Sequence, residues 1–349
     1  MAAKQIRVSD DDVTYHLLPG GTGELSREGR AITDTIFGQD YESQITGPIS
    51  WGLNANAIYK GYPGYVATLK KQGTSTGTTG EACTLVSGKT YQITAPAHRI
   101  LDRSATVTVY DGAVDHTADV VSIDFLFGKV TFSSTYTVGG AVTVDANYFP
   151  VITLAKFQSF TLTQTANAIN NSDMPNLQSN GGFETFESGL KTVTLDLPAV
   201  FAAVDDWHGA LIARDEYVIE LNPDGTGVAG SIARGFFRLV TDTQAGDVGA
   251  LETETLKFSL NVPIQTSGPD VEIPFGWEHG TSSPIPTAIQ KALTAWSAGD
   301  LLYAEYLYDG TNGWKGEGVL TNLTLNAGMD SPNIFTVGLS MSGAPVAVP

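Results

Sequence analysis

Cysteine is almost missing from this chain. Cys83 is the one thiol in 349 residues, so no internal disulfide can form, and no Cys/His spacing resembles a zinc site. Positive charge is scarce as well: 19 Lys and Arg stand against 37 Asp and Glu, a formal net charge of −18. That balance excludes a protein that wraps nucleic acid by neutralising phosphates. Charged residues make up only 16% and apolar residues 42%, which excludes an acidic disordered chain. No uninterrupted apolar run approaches the roughly 18 residues of a membrane-spanning helix. The first residues carry Asp10, Asp11 and Asp12 where a signal peptide would carry apolar side chains. These absences predict a soluble protein folded in a reducing cytoplasm.

What is abundant is glycine, 38 residues, together with Thr, Val and Tyr, a strand-and-turn vocabulary. The length predicts two or three domains. The acid is uneven: residues 156–349 carry 8 Lys and Arg against 22 Asp and Glu, −14 of the −18.

The sequence repeats itself. Apolar residues at Val200, Ala203, Val204 and Trp207 have helical spacing, with Pro198 suited to a first turn and Gly209 to an end. Ile289, Ala292, Leu293 and Trp296 repeat that spacing 89 residues later. Each Trp is followed at equal offsets by Glu-Tyr, Glu216-Tyr217 and Glu305-Tyr306, then by an Asp-Gly turn, Asp224-Gly225 and Asp309-Gly310. Two further strands follow in each copy, about Ala233–Asp242 and Leu251–Val262, then Gly318–Leu325 and Asn333–Met341.

The first copy has two strands upstream, about Phe157–Gln164 and Leu190–Leu197, separated by a long polar loop, Asn167–Ser188. The second copy finds its counterparts at the N-terminus: a strand Val13–Leu18, a polar loop Pro19–Ser43 and a returning strand Ile45–Ile58. Tyr41-Glu42-Ser43 precedes the one returning strand as Phe186-Glu187-Ser188 precedes the other. The expected organisation is a discontinuous unit of residues 1–60 and 280–349, an inserted antiparallel β domain 61–150, a second unit 151–265 and a linker 266–279. Thr74–Gly80 reads as a flexible loop. Alternating runs Ala105–Tyr110, Val120–Phe125, Val130–Phe132 and Ala141–Tyr148 supply the inserted domain's strands.

Phe157–Thr165, the loop Asn167–Ser188, the strand Gly189–Leu197, the Val200–Trp207 helix and Leu251–Pro263 together resemble the unit of the major tail tube protein of long-tailed bacteriophages. Within the insert, Tyr91–Thr94, Ser104–Tyr110 and Ser122–Phe132 resemble segments of such proteins. The resemblance covers most of the chain, although its motifs are β patterns with little chemistry. It implies a mainly β fold: two tail-tube-type β-sandwich or barrel units, each with one flanking α-helix, plus the small inserted β domain. It also implies a structural virion protein of a flexible, non-contractile tail, assembled in the host bacterial cytoplasm. Single units stack as hexameric rings, so a fused pair implies rings of three copies around a channel for DNA ejection. Implied partners are the chain itself, the tape measure, tail terminator and distal tail proteins, and double-stranded DNA in transit, with no membrane.

Two loops are expected to reach the adjacent ring, through Asn167, Asn170, Asn171, Asp173, Asn176, Asn180 and Gly181 in one and Glu24 and Arg27 in the other. Candidate channel carboxylates, which would repel phosphate, are Glu184, Glu187, Asp196, Glu216 and Glu220. Glu216, Val218 and Glu220 alternate with Tyr217, Ile219 and Leu221, which predicts a polar face and a buried face. For each acid the bland reading is an ordinary solvated exterior.

No catalytic constellation stands out. Gly225-Thr-Gly227-Val-Ala-Gly230 matches a dinucleotide-binding pattern but lies between strands, so it reads as a hairpin loop. The five histidines are scattered, Gly338–Gly343 misses a nucleophile elbow, and Asp111, Asp115 and His116 read as a solvated turn. Glu252 and Glu254 would need a cleft to act as glycosidase carboxylates. No cofactor or metal is assigned. Two alternatives remain: a tail-tip or distal adaptor ring protein, and a carbohydrate-binding β protein using Trp277, Tyr308 and Trp314.

Overall fold

A computed structural model of the chain describes residues 4–20, 22–34, 43–63, 67–154, 156–180, 182–201, 207–225, 229–245, 253–262, 273–281, 283, 285–328 and 331–349. From the N-terminus, β1 (Gln5–Ser9), β2 (His16–Leu17), β3 (Thr22–Asp34) and β4 (Ser43–Pro63) precede β5 (Thr68–Gln72). An all-β segment follows: β6 (Thr76–Ser87), β7 (Thr90–Ile93), β8 (Thr108–Asp111), β9 (Val114–Asp115), β10 (Val120–Asp124), β11 (Lys129–Phe132) and β12 (Val142–Tyr148). Next come β13 (Val151–Thr153), β14 (Lys156–Phe157), β15 (Ser159–Asn170), α1 (Met174–Ser179), β16 (Phe186–Phe201), α2 (Trp207–Ala213), β17 (Glu216–Asn222), β18 (Ser231–Ala245), β19 (Thr253–Leu260) and β20 (Phe275–His279). The chain closes with α3 (Thr287–Ala298), β21 (Leu302–Leu307), β22 (Gly313–Gly328) and β23 (Ser331–Val348). It is a mainly β protein with curled antiparallel sheets.

Two compact units divide the chain, one of Met1–Tyr65, Ser159–Leu195 and Pro284–Pro349, the other of Val66–Gln158 and Asp196–Ser283. These cuts differ from the repeat boundaries. Residues 159–195 join the unit with the termini because β15 pairs with β22 from Ser159↔Gly328 to Thr165↔Asn322.

In the first unit the strands run β3, β4, β23, β22, β15, with the first part of β16 beside β15. Trp51, Leu53, Ala55 and Ala57 on β4 and Phe335, Val337, Leu339 and Met341 on β23 are all buried, the period-2 signature of a sheet with one face on a core. The helical spacing read at Ile289–Trp296 is α3: Ile289, Ala292 and Leu293 are wholly buried and Trp296 nearly so. Full burial of an Ile or Leu contributes about 1.5–3 kcal/mol. The helix ends on Gly299 at φ +84, whose amide returns to the Ala295 carbonyl at 2.8 Å. Only glycine adopts that left-handed geometry without strain, and a Cβ there would also meet Lys191 Nζ at 3.3 Å. Gly299→Ala is therefore expected to cost about 1 kcal/mol in thermal or denaturant unfolding.

The second unit has a sheet in the order β13, β5, β17, β18, β19, with β20 also on β18, and a seven-stranded sheet β10, β11, β7, β6, β12, β8, β9. The seven-stranded module closes on Val109, Val130, Phe132 and Val144, with Tyr91 edge-on to Phe132 at 5.9 Å.

Four expectations change. Residues 22–34 are strand β3, paired with β4 from Thr22↔Asn56 to Asp34↔Ser43, rather than loop. Thr76 onward is β6, and β20 occupies the end of the expected linker. The first repeat's helix also shifts. Val200 belongs to β16, paired with Phe157, and α2 begins only at Trp207, while residues 202–206 lie outside those described. A β-branched residue beside an aromatic partner satisfies a strand as well as a helix face, so spacing alone could not separate them.

Candidate functional site

The long strands of the first unit turn a polar face away from the core. Paired residues point to the same side of a sheet, so the registers define rungs. One rung is Glu24, Asn54, Gly338, Asn322 and Thr165; the next is Thr22, Asn56, Thr336, Thr324 and Thr163. Hydrogen bonds run across them. Thr336 Oγ1 donates to Asn56 Oδ1 at 2.9 Å, and on the following rung, which also carries Ile58 and Ile334, Thr161 Oγ1 donates to Asn326 Oδ1 at 2.9 Å. The charged residues on these rungs and on Ser26 and Glu28 beyond are Glu24 and Glu28. The surface is hydroxyl and amide with two carboxylates, and it carries no Lys or Arg among those residues.

Two of the long strands, β18 and β3, have an edge that no described strand pairs. β23 takes one side of β22, so β21 at 313–318 and β15 at 322–328 share the other. β18 has β17 on one side at 233–238 and β19 and β20 on the opposite side. Beyond residue 238, on the side where β22 receives β15, β18 receives no described strand. β3 likewise pairs with β4 alone. An open ladder of amides and carbonyls invites another strand.

The expected contact residues fall into place unevenly. Asn167 and Asn170 are on β15. The Asn171 amide donates to the Thr185 carbonyl, and its side chain donates to Glu187 at 2.7 Å. Asp173 and Asn180 flank α1, which contains Asn176; Gly181 lies outside the described residues. The later part of this loop folds back on its own unit. Ile49 N donates to the Gly182 carbonyl, Glu184 N to the Ile49 carbonyl and Gly343 N to the Glu184 carbonyl. At the start of α1, Met174 is 80% exposed. Glu24 and Arg27 are strand residues, a correction: Glu24 lies on the polar rungs, and Arg27 stacks on the Trp314 ring at 4.5 Å.

The candidate channel acids need correction too. Glu220 is buried, 3% exposed, and its carboxylate receives Arg234 at 2.8 and 3.0 Å and Lys70 at 3.3 Å. Glu216 receives Arg103 and Asn261. Both faces of β17 are therefore covered, because cations from β5 and β18 and from the seven-stranded module compensate the face expected to be polar. Arg234 also donates to the Leu126 carbonyl at 2.8 Å, and Gln92 of the module donates to Glu278 at 2.7 Å. These acids fasten the module within its unit. Glu184 is buried, 4.0 Å from Arg30. Asp196 sits on β16 and pairs with Lys257 of β19 at 3.4 Å.

Asp111 accepts from Gly139 N, Gly140 N and Tyr136 Oη, which hold its carboxyl below the usual range. A pair invisible in the sequence, Ser231 Oγ and His279 Nδ1 at 2.9 Å, is sealed: Ser231 is wholly buried, and desolvation pulls His279 down to about 4. Among the described residues no group of three or more His, Cys, Asp or Glu is placed to hold a metal ion. No protein-family model matches this sequence, and no curated protein matches it.

Proposed function

We propose that this chain is a tail tube subunit of a long-tailed bacteriophage, assembling head to tail into rings of three copies that stack into a tube. The observation that carries this reading is the β15–β22 junction. It joins a strand of one sequence repeat to a strand of the other, and the two strands in equivalent positions, β3 and β18, end in open edges. In the first unit the order β3, β4, β23, β22 is hairpin, last strand, next-to-last strand. The other repeat supplies β15 and β16 as hairpin, then β19 and β18. Thr255 Oγ1 donates to the Pro198 carbonyl across β19 and β16 at 2.9 Å. A copy of the chain therefore offers at β18 what β22 offers to β15, and at β3 what β15 offers to β22. Such heterologous contacts close into a ring when the rotation permits, and closure covers both of these edges.

The polar rungs suit a channel wall. On these rungs hydroxyls, amides and the carboxylates Glu24 and Glu28 offer phosphates no cation, which favours sliding of double-stranded DNA over binding, and Lys257 beyond them is held by Asp196. The channel acids proposed from this face are thus Glu24 and Glu28, with Asp196 offset by Lys257. The segment around α1 supplies the contact to the next ring. Tape measure, terminator and distal tail proteins are the expected partners at the tube's ends.

Electron microscopy of the purified protein tests the proposal: rings of threefold symmetry and stacked tubes are expected, and a chain that stays monomeric at every concentration and salt condition would overturn it. Replacing Asp173–Asn180 with Gly-Gly is expected to leave rings but abolish stacking. Tubes of normal length from that variant would remove the stacking role.

A further inference from the structure

Asp242 and Glu254 form a pair of acids that no cation neutralises among the described residues. Asp242 lies opposite Leu256, and Gln244 lies opposite Glu254. The two carboxyls are therefore diagonal neighbours on the face that carries Leu256 and Phe258, both fully buried. Glu254 is 6% exposed. Glu254 Oε2 and Asp242 Oδ1 are both buried, and neither has a donor within hydrogen-bond reach among the described residues.

Cations are turned elsewhere. On β19, Lys257 is of opposite parity to Glu254 and holds Asp196 of β16 at 3.4 Å. Arg238 on β18 pairs with Ser259 on that same opposite face and is exposed. On α2, which packs on β18, His208 is exposed, with Arg214 and Asp215 just beyond its end. Lys71 of β5 lies over the Trp207 and Tyr217 rings. A buried carboxylate beside a half-buried one finds only another acceptor, and the two repel. A single proton turns one of them into a donor and satisfies both buried oxygens.

We propose that Asp242 and Glu254 share one proton, and that this proton makes joining of the β18 edge to the β3 edge of a second copy depend on pH. The inference rests on the head-to-tail assembly above. Burial, then the hydrogen bond and charge of Asp242, hold the Glu254 carboxyl up at about 7, with Gln244 acting the other way. Asp242 is only half-buried and sits on the open segment 239–245. A strand laid along that segment takes water from Asp242 and tightens its demand for the proton.

The sign follows directly. An acid raised on folding or joining favours the joined state while protonated. For joining, that advantage is complete below about 7, where the carboxyl of the unjoined chain titrates, and is lost as pH rises above it through the higher value of the joined state. One linked proton changes the association constant by at most about tenfold per pH unit.

The test measures ring formation by sedimentation velocity from pH 5.5 to 8.5 for the native chain, Glu254→Gln and Asp300→Asn. The glutamine keeps the shape and donates permanently to Asp242, whereas Asp300 is an exposed acid that matches the change in net charge. The native chain and Asp300→Asn are expected to need at least tenfold more protein to form rings at pH 8.5 than at pH 5.5. Glu254→Gln is expected to lose most of that dependence. A Glu254→Gln profile parallel to the native one overturns the proposal. If no protein assembles at any pH, the assembly reading fails instead, and the coupling to joining falls with it. The shared proton is then read in the monomer by carbon-detected NMR of the Glu254 carboxyl. Titration near 7 supports the pair, and titration in the ordinary glutamate range overturns it.

Discussion

Gln244→Pro is expected to yield a folded monomer that no longer forms rings. Antiparallel pairs alternate between residues that face the partner strand and residues that face away. Asn261 N donates to the Phe236 carbonyl at 2.7 Å, and counting along β19 by twos puts the next ladder bonds at Ser259, Lys257 and Thr255. The partners of the last two are Thr241 and Thr243, so the amide of Gln244 points to the open side of β18. Proline there removes an N–H that no described strand receives, and its ring blocks an incoming strand. Assembly should weaken by at least about a hundredfold, since a ring needs every junction, while the unfolding midpoint stays close to that of the native chain. Thr243→Pro is the contrast, because it removes a β18–β19 bond and should lower stability itself. Rings from Gln244→Pro at native concentrations would show that this edge is not the joining surface.

Glu220→Ala is expected to destabilise the second unit by about 3–5 kcal/mol, since it leaves a buried guanidinium without its counter-charge. Arg234 is 3% exposed and gives two of its donors to Glu220. Its third contact, to the Leu126 carbonyl, carries no charge. Replacing both partners, Glu220→Leu with Arg234→Met, should recover most of the loss, because apolar side chains of similar volume remove the desolvation cost together with the attraction. Denaturant unfolding of the three proteins checks this. A single-variant loss below about 1 kcal/mol would mean that water reaches the guanidinium and compensates the site.

The contrast between α3 and α2 shows how far spacing carries. Ile289, Ala292, Leu293 and Trp296 lie between Pro286 and Gly299, and all four are buried on one helix. Val200 and Trp207 have the same spacing, yet one ends a strand and the other starts a helix. The hairpin β3–β4 was hidden for a related reason: residues 22–34 are polar and glycine-containing because one face meets solvent, and a half-exposed strand of such composition resembles a loop. Burial of Glu220 was hidden too. Its partners Lys70 and Arg234 lie 150 and 14 residues away, and an alternating strand reads as half-solvated unless something covers its polar face.

By itself, the sequence determined the mainly β class, the buried face of α3 and four strands of the seven-stranded module, β8, β10, β11 and β12. All of these follow from local period and composition, which neighbouring residues suffice to express. Tertiary structure alone decided which acids are solvated, and, among the described residues, which edges stay open and that Asp242 and Glu254 meet without a cation. Those are properties of strand partners and registers, set by residues tens to hundreds of positions apart.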